Sequence, residues 1–292
     1  KWAKGNYQQF EKHDNYWKPG RPFWDGYTNV YIREPQRVIA AFRSDQVLMW
    51  SHAWPGLSIK DYIALGKELK DTWDFHFLTP SGGVGFMINP TRKPFSDYRV
   101  RKALYLALDR KAIVDGWVFG KGVQGAPFVP GTWMSAPDAE VNAWPGHRYV
   151  NAAGEPVVDP YNSDVPVFKD PQDIEEAKRL LTEAGYPDGF EAVTIISSST
   201  EEGAVILSKG LKEAGINLKF EAPEGGVWRQ RVNNHLYDLT HRNYSLSIMD
   251  PDDILGGTYL VGGSRNLMNW EDPELTALAD AQRRVADRGE RR

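Results

Sequence analysis

Three acidic side chains lie close together in the sequence, and they could act as cation ligands or as a catalytic acid and base. These are Asp250, Asp252 and Asp253, and Glu271 follows further along the chain. A calcium-binding EF-hand loop would also need a glycine and a distal glutamate at fixed spacing, and neither falls at its required position. The pattern D-P-D-D therefore favours a turn that caps a helix over a calcium site.

Two histidines form the next candidate pair. His235 and His241 are six residues apart along a segment that is predicted to be extended. At ~3.3 Å per residue they would be roughly 20 Å apart, which is too far to share a metal ion. We therefore expect structural or surface histidines and no metal site.

Several common catalytic motifs are missing from the chain. It contains no G-x-S-x-G, H-E-x-x-H or P-loop sequence, and it has no cysteine. The glycine-rich run 82–85 precedes a predicted strand, so it lacks the helix N-terminus that would bind phosphate. We expect no enzyme activity and no cofactor. Two alternatives stay open: a hydrolase of peptides or glycosides that uses paired carboxylates, and a non-catalytic structural or interaction domain.

Composition narrows the possible partners. The chain has 292 residues, a net charge of −4 and a pI of about 5.9. It has no basic run, which argues against nucleic acid or an anionic membrane as partner. No apolar run reaches the ~18 residues of a membrane-spanning helix. The 11 Trp and 13 Tyr could line a cleft, although packing is the more common role of aromatic residues.

The elements that would position these residues follow an α/β pattern. In the first part of the chain, the residue pattern predicts strands at 5–13, 27–34, 47–49 and 73–78 and helices at 35–42 and 59–69. In the next part, it predicts a strand that ends near Ile88, a helix capped by Ser96 or Asp97, and a second helix after Asp109. Residues 123–170 predict a long loop rich in Pro and Trp. In the last part of the chain, the pattern predicts helices at 171–184, 201–214, 227–234 and 273–285 and strands at 191–197, 216–221 and 237–244. The strand, helix and strand within 191–221 are expected to form a parallel βαβ unit.

An ordered set of motifs resembles the central signature of a known family. Asn89 ends a strand and is followed by Lys93-Pro94-Phe95-x-Asp97, by Val100-Arg101-x-Ala103-Leu104 and by Asp109-Arg110-x-Ala112-Ile113. A Gly185-Tyr186-Pro187-Asp188-Gly189-Phe190 block comes later. The set resembles the family 5 extracellular solute-binding proteins of bacterial ABC importers, which include dipeptide, oligopeptide and nickel binders.

The resemblance implies a two-lobed α/β fold of the periplasmic-binding-protein type (type II-like). Residues 1–82 would belong to a partial first lobe and residues 83–292 to most of the second, with a break at 80–83. Lys1-Trp2-Ala3 reads as the middle of a strand and 287–292 as the interior of a helical segment, so we expect an incomplete form of the fold. Such a chain would hold one wall of the binding cleft and bind solutes weakly or not at all.

The resemblance also implies a function. A family member captures a small solute, here a peptide-like, opine-like or oligosaccharide solute, and delivers it unchanged to an ABC permease in the inner membrane. It would be a monomer in the periplasm or outside the cell. Whether it carries a lipid anchor stays open.

Residues 237–255 resemble the strand and loop that line the cleft in this family. Tyr244 stands where the family has an aromatic residue, and Ser247 stands where peptide binders have an aspartate that pairs with the ligand's α-amino group. Either the ligand lacks an α-ammonium group, or Asp250 anchors it from a shifted position. His241 or Arg242 could bind a ligand carboxylate, and strand alternation lets only one of the two face the cleft. For Asn266 and Trp270, packing and ligand contact are equally expected.

Overall fold

The computed structural model describes residues 1–32, 34–49, 57–77, 82–123, 128–196 and 201–291. The chain divides into two compact units, residues 1–76 and residues 77–292. Of the predicted break, Pro80 and Ser81 lie outside the described residues, and Gly82 and Gly83 already belong to a strand. The assignment of two lobes stays a prediction.

The first unit combines a small antiparallel sheet with two helices. Strands β1 (Trp2–Ala3), β2 (Tyr7–Glu11) and β3 (Gly26–Val30) pair in that order. Helix α1 (Pro35–Arg43) begins with a proline, whose missing N–H costs nothing in the first turn. Helix α2 (Ile59–Glu68) begins where the Ser58 side chain accepts the Asp61 N–H. Both helices contribute to one apolar core, formed by Val38, Ile39, Phe42, Leu57 and Leu65.

Two strands predicted in this unit are wrong within the described residues. Residues 47–49 and 73–77 have no regular secondary structure, and Leu78 lies outside the description. The aromatic rings of the second segment pack on helices instead, with Trp73 4.8 Å from Phe42 and Phe75 5.2 Å from Tyr62. The Tyr62 hydroxyl accepts the His76 N–H and donates to the His76 carbonyl. These backbone groups are therefore satisfied without hydrogen bonds to a neighbouring strand.

The second unit is built on a four-stranded sheet. Its strands are β4 (Gly82–Ile88), β7 (Phe190–Ile195), β8 (Ile216–Glu221) and β9 (Leu239–Ser245), in the order β4-β9-β7-β8. Strands β7 and β8 are parallel, which confirms the predicted βαβ unit. β9 is parallel to β7 and antiparallel to β4.

Helices cover this sheet. They are α3 (Tyr98–Ala107), α4 (Arg110–Gly116), α6 (Pro171–Glu183), α7 (Glu201–Glu213), α8 (Gly225–Asn233), α9 (Pro251–Ile254), α10 (Pro273–Gln282) and α11 (Arg288–Arg291). Of the two predicted caps of α3, Asp97 is the one that caps the helix through its side chain, and Asp109 caps α4. Residues of α3, α6 and α7 form the main core with Ala192, Ile216 and Leu239 of the sheet. None of the described helices has the length and hydrophobicity needed to cross a membrane.

The long segment 123–170 holds a few short elements, α5 (Asp138–Ala143), β5 (Tyr149–Val150) and β6 (Phe168–Lys169), in its described part. Polar groups fix it to the helices. The fully buried Asp173 carboxylate accepts the Gly146 N–H and pairs with Arg148 and with Lys169. The Arg110 guanidinium donates to the Gly146 carbonyl at 2.6 Å. Opposite charges in the interior therefore hold the loop against the core.

Candidate functional site

Strand β9 carries the first candidate residues. In its antiparallel pairing with β4, Arg242 is opposite Gly85 and Tyr244 is opposite Gly83. The side chains of Arg242 and Tyr244 lie outside the described part of the structure. The predicted strand is therefore present at this position, and the roles of these two side chains stay predictions.

His241 is a core residue. Its side chain is 1% exposed, and its ring lies 5.8 Å from the rings of both Phe86 and Trp117. Neither ring nitrogen has a hydrogen-bond partner among the described residues. Burial lowers the pKa of His241 to about 4, because the charged form loses its hydration. A buried, neutral imidazole supplies no cation at pH 7, so this placement favours packing over binding of a ligand carboxylate.

The loop after β9 exposes one hydroxyl residue and two apolar side chains. Ser247 is exposed, and its backbone N–H donates to Asp253 Oδ2 at 2.8 Å. Ile248 is 62% exposed and Met249 is 48% exposed. The Asp253 carboxylate thus fixes the backbone at the position that the resemblance aligns with the anchoring aspartate of peptide binders.

Asp250 begins α9 and is tied to the C-terminal helix α11. Its Oδ1 accepts the Asp252 N–H at 3.0 Å, which caps the helix. Both carboxylate oxygens also accept from Arg291, each at 2.9 Å. The bonds from Arg291 hold the pKa of Asp250 below its usual range. Such a two-bond pair is the strongest arrangement available to a guanidinium and a carboxylate.

The other two acids of the D-P-D-D pattern have arginine partners of their own. Asp252 pairs with Arg283 at 2.5 Å, and Asp253 Oδ1 pairs with Arg265 at 3.0 Å. Glu271 is exposed. Each of the three clustered carboxylates therefore faces a cation rather than a second acid, which is not the geometry of an acid–base pair.

Two glycines make room for these arginines. A π-helix (Leu255–Tyr259) follows α9, and Gly256 and Gly257 lie in it. A Cβ on Gly256 would stand 2.8 Å from the Arg283 guanidinium, and a Cβ on Gly257 would stand 2.5 Å from that of Arg265. A side chain at either position would force the arginine guanidinium to move. None of the three arginines is predicted from the sequence, and the Gly-Gly pair after D-P-D-D is the available signal for Arg265 and Arg283.

Asn266 and Trp270 lie next to each other and are joined by a hydrogen bond. The Asn266 amide donates to the carbonyls of Leu260 and Trp270, at 3.1 and 2.9 Å. The Trp270 ring meets Tyr259 edge-on at 6.1 Å. These contacts close the segment before α10 and are typical of packing. In the described residues, no group of three or more His, Asp or Glu side chains could hold a metal ion.

Comparison with known proteins identifies the family. Residues 1–266 match the model of the bacterial extracellular solute-binding proteins, family 5, middle region. The periplasmic oligopeptide-binding protein OppA of Haemophilus influenzae is 25% identical over 281 residues, which cover 94% of this chain and 47% of OppA. The chain therefore belongs to the family 5 bacterial extracellular solute-binding proteins.

Solved structures share the fold. AgaA of A. tumefaciens R10, in complex with agropinic acid, has a TM-score of 0.73 and 25% identity, covering 100% of this chain and 54% of AgaA. DppA of Helicobacter pylori, in complex with the peptide STSA, has a TM-score of 0.70 and 21% identity, covering 99% and 51%. Both are periplasmic binding proteins by name, so the predicted fold class is confirmed. This chain spans about half the length of the relatives it matches.

Proposed function

We propose that this chain is part of the substrate-binding component of an ABC importer. The protein would capture a small solute outside the cytoplasmic membrane and deliver it unchanged to a membrane permease. The family match carries the proposal, because it covers residues 1–266 and therefore includes β9 and the loop that follows it. The relatives bear the names of binding proteins and not of enzymes.

The charges in the loop support binding without catalysis. A carboxylate-dependent hydrolase needs two acids facing each other across a pocket with perturbed protonation. Asp250, Asp252 and Asp253 are instead each paired with an arginine. We also propose that the protein works as a monomer in the periplasm or outside the cell.

The solute class follows from the same loop. Ser247 is uncharged, and the carboxylate of Asp250 is engaged by Arg291. Of the two alternatives left by the sequence, this pairing supports a solute without a free α-ammonium group over a shifted anchor at Asp250. Tyr244 and Arg242 remain proposed contacts of the solute, whereas the bonds of Asn266 and the ring contact of Trp270 support packing.

A thermal-shift screen tests the proposal. The full-length protein that contains this chain is heated with dipeptides, N-acetylated peptides, oligosaccharides, opines and metal chelates. A bound solute raises the Tm in proportion to the logarithm of its concentration over Kd, so the panel ranks solute classes. We expect stabilisation by a solute without a free ammonium. Stabilisation by ordinary dipeptides would reject our interpretation of Ser247, and a panel with no shift at all would contradict solute binding.

A further inference from the structure

The loop after β9 and helix α9 carry three carboxylates that are each paired with an arginine, although Arg283 is shared between Asp252 and Asp280. Asp250, Asp252 and Asp253 face Arg291, Arg283 and Arg265, respectively. These arginines come from three different positions downstream, so the match depends on the folded chain and not on local sequence. Every carboxylate of the segment is therefore already engaged by an arginine.

We propose that Arg291 determines specificity by masking Asp250, so that the loop rejects solutes with a free ammonium group and accepts an uncharged, partly apolar face. The inference rests on the proposed function, because it assumes that this loop contacts the solute. It goes beyond that function by assigning the selectivity to a residue far from the loop in sequence.

The contacts of Arg291 are those of a fixed group. Its two terminal nitrogens each donate to one oxygen of Asp250, and Nη2 and Nε also donate to Gln282 Oε1 at 2.6 and 3.0 Å. Its guanidinium lies 5.6 Å from the centre of the Trp133 ring. Acceptors on two sides and an aromatic ring on another hold the guanidinium in place, which makes it a preorganised partner for the carboxylate.

Asp250 has little bonding capacity left for a solute. Oδ1 accepts from both Arg291 and the Asp252 N–H, and Oδ2 accepts from Arg291. An incoming ammonium would have to replace a two-bond pair with a single point charge, which is a poor exchange. Beside it the loop exposes Ser247, Ile248 and Met249, a hydroxyl and two apolar side chains. These groups suit an N-blocked peptide or another solute whose contacting part is uncharged.

Calorimetric titration of the full-length protein with two probes tests the inference. The probes are the dipeptide Ala-Phe and its N-acetylated form, which differ in the ammonium group. Unaltered protein should bind the acetylated probe at least as tightly. In Arg291→Gln the carboxylate is unmasked, so Ala-Phe should bind about tenfold more tightly while the acetylated probe changes little, as expected for one charge-assisted hydrogen bond.

Three further variants separate masking from a general structural effect. Arg288→Gln is the matched control, because Arg288 lies over the same Trp133 ring, 5.4 Å from its centre, and its charge acts on Asp250 without a hydrogen bond to it. It should raise the affinity for Ala-Phe much less than Arg291→Gln does and leave the acetylated probe unchanged. Asp250→Asn combined with Arg291→Gln should abolish the gain, since Asn still caps α9 without a charge. Arg291→Lys keeps the charge but loses the two-bond geometry, so it should give an intermediate gain in affinity for Ala-Phe. It replaces Arg291→Gln in the test if that variant does not fold.

Failure of the inference differs from failure of the proposed function. If Arg291→Gln improves neither probe, or improves both equally, the masking role is wrong even when the unaltered protein binds solutes in the thermal-shift screen. If no solute of the screen stabilises the unaltered protein, the proposed function itself is contradicted.

Discussion

His241 lies where a charged imidazole is disfavoured, with an aromatic ring on two sides and no partner for either nitrogen in the described residues. Its pKa in the folded protein is about 4, below the ordinary 6.5. As the pH falls, the unfolded chain takes up this proton first. Stability is therefore lost between pH 6.5 and pH 4 and levels off below.

Replacing His241 should remove this part of the pH dependence. The shift corresponds to a loss on the order of 3 kcal/mol across the window. His241→Leu should flatten the decline in Tm between pH 6.5 and pH 4 while leaving stability at pH 7 nearly unchanged. His147, whose pKa burial lowers to about 3, should keep a residual slope. Scanning calorimetry at several pH values measures how Tm depends on pH. His76→Gln, at an exposed position, is the control. An unaltered decline in Tm for His241→Leu would show that burial of His241 does not cause this part of the pH dependence.

The sequence could indicate which single residues have functional chemistry but not what those residues contact. Ser247 could be singled out because a resemblance aligned it with an aspartate. The partners of Asp250, Asp252 and Asp253 could not be found, since Arg265, Arg283 and Arg291 reach them only through the tertiary path of the chain. Strand alternation likewise could not show that His241 lies in the core, because alternation gives the face of the sheet on which a residue lies but not what covers that face.

At the scale of elements, the βαβ unit brings two turns into unusually close contact. Gly189 precedes β7 and Gly215 precedes β8, and the Phe190 N–H donates to the Gly215 carbonyl at 3.0 Å. A Cβ on Gly189 would stand 2.1 Å from that carbonyl oxygen, and its φ is +78°. Two strands can therefore start side by side only with glycine at this point.

A pair of alanine variants isolates this close approach. Gly185 has a φ of +91° but nothing within 4 Å of its Cβ position, so Gly185→Ala carries only the backbone cost of about 1–2 kcal/mol. Gly189→Ala adds the collision and should lose roughly 3–5 kcal/mol. Urea unfolding followed by circular dichroism gives both values. Equal losses would show that the turns move apart at no cost.

Helices and strands with strong local signals were predictable, and those without them were not. Capping aspartates and regular apolar spacing placed α3, α4, α6 and the βαβ unit correctly. Residues 73–77 have apolar alternation, yet they form no strand, because a strand also needs a neighbour and the rings of Trp73 and Phe75 pack on helices instead. Residues 47–49 are an apolar run without alternation, and they form no strand either. The short elements within 123–170 were missed because they are too brief to show a period.

At the scale of the whole molecule, the chain matches about half of each relative's length. A cleft that buries most of a solute needs walls on both sides. We therefore predict that residues 1–292 alone bind no peptide or sugar with micromolar affinity, whereas the full-length protein does. Isothermal titration calorimetry of both proteins against the best solute of the thermal-shift screen checks this. Micromolar binding by residues 1–292 would mean that this chain already holds a complete site.

The pairing of β4 with β9 joins two ends of a long stretch of chain, since residues 89–238 separate the strands. A ribosome would release β4 well before the strand that completes its hydrogen bonds, whereas β7 and β8 emerge close together. Pairings distant in sequence form slowly because the loop between them must first be closed. The nascent chain would thus lack its finished sheet for the whole time that residues 89–238 take to be synthesised.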